Sequence, residues 1–151
     1  MGPVSPLLDA INRRLLAELQ DNARLPVAEL ARRVTLSPAA VSDRLARLED
    51  EGVITGYHAR IDPRALGFTV CAVVRVRPVT RQLHRIPELA QDVPEVTECH
   101  RVTGEDCYVL TLHLRDMGDL EPILDRFAPL GQTTTSIVHS SPIAARPLPL
   151  E

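Results

Sequence analysis

Four arginines, Arg32, Arg33, Arg44 and Arg47, gather around the dipeptide Thr35-Leu36, and Ser37, Ala39, Ala40, Ser42 and Asp43 lie between them. Guanidinium groups form paired hydrogen bonds to phosphates and guanine edges, and small neighbours let a helix backbone approach another surface closely. A second set, Gly104, Glu105 and Asp106 with Thr134 and Ser136, has different chemistry. Glycine permits positive φ, loop amides and hydroxyls can hold a carboxylate, and the two acids can accept from an ammonium group. Together they would suit a small zwitterionic or anionic ligand. Catalytic and metal chemistry finds no comparable grouping. His58, His84, His100, His113 and His139 are scattered, with no HxxxH, no Cys–His ligand spacing and no glycine-rich phosphate loop. Cys99 and His100 are neighbours on an expected strand, so they face opposite sides and cannot pair as nucleophile and base. No catalytic residue, metal or cofactor is expected, and the chain is not read as an enzyme. Cys71 and Cys107 read as small apolar fillers.

The elements that must position these residues change period near residue 53. Before it, apolar residues recur at helical spacing: Leu8, Ile11, Leu15 and Leu19; Val27, Leu30, Ala31 and Val34; Val41, Leu45 and Leu48. After it come β-branched runs separated by turn signals, at 53–61, 68–79, 96–102, 107–114 and 133–138. Two helical stretches interrupt them: 81–92, where Pro87 must kink the helix or set its true start, and about 119–127, where Pro122 suits a first turn. The order is α-α-α-β followed by β-α-β-β-α-β, the second half being the ferredoxin-like split βαβ arrangement. The fold expected is α+β, with residues 1–60 as one domain, 61–67 (Ile-Asp-Pro-Arg-Ala-Leu-Gly) as a hinge linker, and 68–151 as a second domain. The proline-rich tail from Pro142 should run irregularly along the surface.

The first domain reads as a helix-turn-helix. Helix two would span 27–34, with the turn at Thr35-Leu36. Ser37 is a good N-cap, and Pro38 gives up an amide that has no partner at a first helical position. The third helix buries Val41, Leu45 and Leu48 and turns Ala39, Ala40, Ser42, Asp43, Arg44 and Arg47 outward, as insertion into a major groove requires. Ser42 and Arg44 are expected nearer base edges, with Arg32, Arg33 and Arg47 nearer phosphate. Arg44 could instead tie the helices together, and the whole region could be a three-helix bundle with a solvated charged face. Asp43 could accept from a cytosine amino group, or pair with Arg47 four residues on, which is the favoured expectation.

Composition bounds these readings. The 151 residues include 44% hydrophobic and 25% charged residues, which is globular rather than disordered, but only 3% aromatic, too few for a platform that stacks single-stranded bases. All seventeen basic residues are Arg, yet the net charge is −3, which argues against coating nucleic acid by bulk charge. Apolar runs are too short to span a membrane, and the opening Met-Gly-Pro-Val-Ser-Pro has no basic or apolar leader character. Three cysteines without CxxC spacing suit reduced thiols, so a cytoplasmic location is expected.

Certain residues make the pattern specific: Leu8-Asp9, Arg24, Glu29-Leu30-Ala31, Leu36-Ser37, Val41, Arg44, Leu48-Glu49, Gly52-Val53-Ile54, Gly56-Tyr57 and Asp62-Pro63 with Leu66-Gly67. Together with VPEV from Val93, VTGEDCYVL from Val102, and Leu120-Glu121, they resemble the Lrp/AsnC family of feast/famine transcriptional regulators over nearly the whole chain. The resemblance implies a winged helix-turn-helix that binds double-stranded DNA and a ferredoxin-like domain for oligomerisation and effector binding. It also implies homodimers that assemble into tetramers or octamers, and an amino acid or related metabolite bound between dimers by the Gly104–Asp106 loop and the last strand. Three positions depart from the family pattern. Asn12 stands where an acid is frequent, Asp43 is unusual on the third helix, and Cys107 occupies the place of an acid that here falls one residue early, at Asp106, a shift that turns a side chain to the other face. Outside the resemblance, Gly-Glu-Asp is also an ordinary hairpin turn and a Thr run ordinary strand composition. The rival reading from a different class is a small-molecule-responsive module whose helical half makes protein contacts.

Overall fold

The computed structural model describes residues 5–150; residues 1–4 and 151 lie outside it, and with them most of the segment that bears on a secretion leader. The chain divides into two compact units, Met1–Arg60 with Ile143–Glu151, and Ile61–Pro142.

The first unit holds three helices, α1 (Ala10–Asp21), α2 (Val27–Val34) and α3 (Pro38–Asp50). Asp9 caps α1 by accepting from the Asn12 amide at 2.7 Å. Leu15, Leu30, Ala31, Val34, Val41 and Leu45 form the common core, matching the helical periodicity of the sequence. α2 ends at Thr35, whose φ of +58° turns the chain, and the Leu36 amide donates back to the Ala31 carbonyl at 3.0 Å. A β-branched residue in this left-handed region is uncommon, and here the short link between two helices imposes it. Ser37 caps α3 by accepting from the Ala40 amide at 3.2 Å, with Pro38 in the first helical position.

The stretch 53–61, expected as a strand, is not one. Gly52, with φ +69°, ends α3, and the Val53 and Ile54 amides both donate to the Leu48 carbonyl at 2.9 Å. Amides spent on closing the helix cannot enter a ladder. The tail from Ile143 also departs from expectation. It is irregular, as its prolines dictate, but it groups with the first unit rather than the second, where Arg60 donates to the Ala145 carbonyl and Arg13 to that of Leu150.

In the second unit, the expected hinge is a folded turn: Asp62 caps a 3₁₀ segment, Pro63–Leu66, and Gly67, at φ +84°, closes it. There follow β1 (Val70–Pro78), α4 (Arg85–Gln91), β2 (Val96–Arg101), β3 (Tyr108–Leu114), α5 (Leu120–Phe127) and β4 (Gly131–Ile137). The strands form one antiparallel sheet in the order β2-β3-β1-β4, the split βαβ topology expected from the sequence. α4 starts later than residue 81 because Arg81 has φ +72°, outside helical space, and Pro87 then falls harmlessly in the first turn. One sheet face, with Ala72, Val74, Val76, Leu110, Leu112 and Leu114, is buried with Ile86, Ala90, Ile123 and Phe127 from the two helices. The opposite face carries Cys71, Val73, Arg75, Arg77, Val109, Thr111 and His113 by strand alternation. Among the described residues, no helix is long and apolar enough to cross a membrane, and no group of three or more His, Cys, Asp or Glu could hold a metal ion.

Candidate functional site

The outer surface of α3 presents Ser37, Ala39, Ser42, Asp43, Ala46 and Arg47 as exposed residues, with Ala40 and Arg44 half-buried. Its cap and first-position proline fix where the helix begins, and so which side chains fall on this surface. The arginines grouped in the sequence separate by environment. Arg44 turns away from the outer face: its Nη1 donates to Asp9 Oδ2 at 2.7 Å and to Asn12 Oδ1 at 3.0 Å. Asn12, only 5% exposed, also donates to the Leu7 carbonyl at 2.6 Å, so its neutral amide joins the start of α1 to α3. The sequence marked Asn12 only as a departure from the family pattern; what the amide adds over an acid is its donation to the Leu7 carbonyl, which a carboxylate cannot make. Asp9 is held below the ordinary carboxylate range by the Asn12 backbone amide first and by the Arg44 guanidinium second.

Arg33 is shared between Glu18 on α1 and Glu29 on α2, and Arg32 takes both oxygens of Glu29 at 2.7 and 2.9 Å. Hydrogen bonds from Arg32 and then Arg33 depress Glu29 to about 2. Arg32 nevertheless stays largely in solvent, at 72% side-chain exposure. Arg47 is exposed and has no ion-pair partner among the described residues. The favoured Asp43–Arg47 pair is absent as well: an exposed i,i+4 pair gains only a few tenths of a kcal/mol, too little to hold two mobile side chains together. Asp43, Arg44 and Arg47 line a recess of about 310 Å³ against Pro6, Leu7 and Asp9. Past the end of α3, Tyr57 donates to Glu49 at 2.8 Å, and burial followed by that carboxylate pushes its hydroxyl up to about 12.

In the second unit the loop 102–107 joins β2 to β3, with Gly104 at φ +107° and Cys107 at +54°. Cys107 packs against the core, as a small apolar residue should, but Cys71 does not: it lies on the opposite sheet face as the register partner of His113. That Cys–His pairing was invisible in the sequence because only strand register creates it. Burial and then Glu98 push the Cys71 thiol up, the wrong direction for a nucleophile. The loop acids have cationic partners that sequence reasoning missed. Arg77 pairs with Glu105, and Asp106 lies 3.7 Å from Arg75 and 3.8 Å from Arg77. The signal was present in β1, where Arg75 and Arg77 alternate with buried Val74 and Val76. Thr134 is the β4 register partner of Arg75 and so sits beside this cluster, whereas Ser136 pairs with Val73, two residues farther along.

A capped helix-turn-helix whose outer face carries short side chains and the exposed Arg47, joined in one chain to a ferredoxin-like sheet, has the architecture of a regulator of the helix-turn-helix class. Comparison with known proteins makes the assignment specific. A family profile described as winged helix-turn-helix DNA-binding matches residues 8–55, and one described as Lrp/AsnC ligand binding domain matches residues 71–148. The chain is 38% identical to the transcriptional regulator LrpA of Mycobacterium tuberculosis over 137 residues, covering 90% of this chain and 89% of that protein. It is 40% identical to the proline dehydrogenase transcriptional activator of Rhodobacter capsulatus, over 80% of each chain. Among solved structures, the feast or famine regulatory protein from M. tuberculosis complexed with L-methionine superposes with a TM-score of 0.87 at 35% identity, covering 93% of this chain and 98% of that one. The chain belongs to the Lrp/AsnC family of transcriptional regulators.

Proposed function

We propose that this protein binds double-stranded DNA sequence-specifically by laying the exposed face of α3 in the major groove, and that a free amino acid or close relative modulates that binding through the second unit. The observation that carries the reading is the α3 face itself, where a capped helix with short outer side chains also presents Arg47, a cation with no ion-pair partner among the described residues. In this reading Ser37, Ala39, Ala40, Ser42 and Asp43 face base edges. Arg47 and Arg32 meet phosphates, while Arg33 and Arg44 hold the helices that present them.

For the effector, the Gly104, Glu105 and Asp106 loop and Thr134 are favoured by their clustering with Arg75 and Arg77, with Ser136 at the margin. Two guanidinium groups and two carboxylates balance, so a zwitterion can exchange one internal pair for its own two charges without leaving a charge unmatched. The L-methionine complex of the M. tuberculosis relative supports an amino acid as the ligand class. Such a site would be completed by neighbouring subunits, and the open sheet face with half-buried Cys71, Val73, Val109 and Thr111 favours a homodimer that builds larger assemblies. A cytoplasmic regulator without catalytic activity fits all of these features.

A mobility shift with fragments from upstream of its own coding sequence, repeated with each of the twenty amino acids, tests the reading. A retarded complex is expected, with a midpoint that one or a few amino acids move about 5- to 150-fold, the ordinary span of such coupling. Absence of a complex on every fragment would sink DNA binding, and a midpoint that no amino acid moves would sink the effector assignment.

A further inference from the structure

We propose that Asp43 selects a cytosine: its carboxylate accepts a hydrogen bond from the exocyclic amino group of one cytosine in each half-site. The inference rests on the DNA-binding reading and adds a base preference to it. Asp43 is the sixth residue of the thirteen-residue α3, inside the half of a recognition helix that reaches base edges. It is exposed, and among the described residues it has no hydrogen-bond or ion-pair partner. The two cations that could neutralise it do not. Arg44 is committed to Asp9 and Asn12, and Arg47, one turn on, stands apart.

A free carboxylate on a surface that approaches a polyanion is unfavourable unless a donor meets it. Cytosine and adenine offer amino donors in the major groove, but the adenine N7 beside its amino group is an acceptor that repels a carboxylate. Cytosine has no such neighbour on its own edge. An aspartate is short, so it reaches a base only if the helix backbone comes close. The residues around Asp43 on that face are Ala39, Ala40, Ser42 and Ala46, none of which would hold the helix away from the groove.

Selection of randomised duplexes by the full-length protein tests this, using wild type, Asp43→Ala and Asp43→Asn. Wild type should enrich one cytosine per half-site, and changing it should weaken binding about 5- to 10-fold, as expected for a single base contact. Asp43→Ala should erase the preference at that position alone. Asp43→Asn should move it to adenine, whose N6 and N7 match a carboxamide. Because the carboxylate has no hydrogen-bond or ion-pair partner among the described residues, both variants should melt with the wild type. Unchanged base preference in Asp43→Ala, or a uniform gain in affinity at every sequence, would overturn the assignment while leaving DNA binding intact. Failure of the wild type to enrich any sequence would overturn both.

Discussion

Arg44 and Arg47 lie three positions apart on one helix and look equivalent in sequence, but the structure gives them different partners. Arg44→Ala removes two hydrogen bonds and strands Asp9 and the buried Asn12 amide, so stability should fall by about 1 kcal/mol, with weaker DNA binding as a consequence. Arg47→Ala breaks no hydrogen bond or ion pair among the described residues and should leave urea unfolding within about 0.5 kcal/mol of wild type while lowering DNA affinity directly. Equal effects on unfolding would contradict this division. The helical period showed which side of α3 each arginine starts from; it could not show that the cap of α1 comes within reach of Arg44, because that contact joins residues 35 apart. Glu29 supplies a second residue-scale test. Its folded pKa, about 2, lies below its ordinary 4.5, so its contribution to stability is complete above the ordinary value and disappears as pH falls toward about 2. Helical circular dichroism followed between those limits should show a loss that Glu29→Gln removes from the pH profile, with lower stability at neutral pH. An identical acid profile in the variant would show that the Arg32 and Arg33 contacts do not govern it.

Among the elements, α3 and β4 depend on single small residues. Ser37→Ala deletes the cap that satisfies the Ala40 amide and should cost about 1 kcal/mol, seen as earlier loss of helix on heating. Gly131→Ala should cost more, about 1–3 kcal/mol, because a Cβ there would run into the Arg77 carbonyl and the Pro78 Cα and push β4 off β1. If Gly131→Ala melts like wild type, the β1–β4 register is wrong. The cap at Ser37 was legible because serine followed by proline is a local signal. The close approach at Gly131 was not, since it arises only when strands distant in sequence pair. The same distinction explains the missing strand at 53–61. Its β-branched composition was correctly noted, but a strand exists only through a partner, and Val53 and Ile54 give their amides to Leu48. Where alternation itself fixed the outcome, as in β1 and β3, the buried set Ala72, Val74 and Val76 against Leu110, Leu112 and Leu114 followed the sequence pattern.

At the scale of the whole molecule, the sheet has helices on only one face, and the other mixes half-buried apolar residues with paired charges. Light scattering should therefore give a mass that is an even multiple of 16.7 kDa, and Val73→Arg on the open face should reduce it without lowering secondary structure. A wild-type particle of one chain at micromolar concentration would contradict that assembly. The order of strands was legible from the β-α-β-β-α-β pattern, while the charge cluster of Arg75, Arg77, Glu105 and Asp106 needed the register of β1 against β3 to bring its members together. A chain of net charge −3 must bind DNA through individually placed cations, Arg47 and the exposed Arg32, rather than through bulk charge. Affinity for an upstream fragment, measured by fluorescence anisotropy across a salt series, tests it most directly. An assembly that covers about 6–10 phosphates should lose roughly 10³- to 10⁵-fold in affinity between about 50 and 200 mM salt, with a shallower slope for Arg47→Ala. No binding at about 50 mM salt, or binding indifferent to salt and to Arg47, would contradict the account.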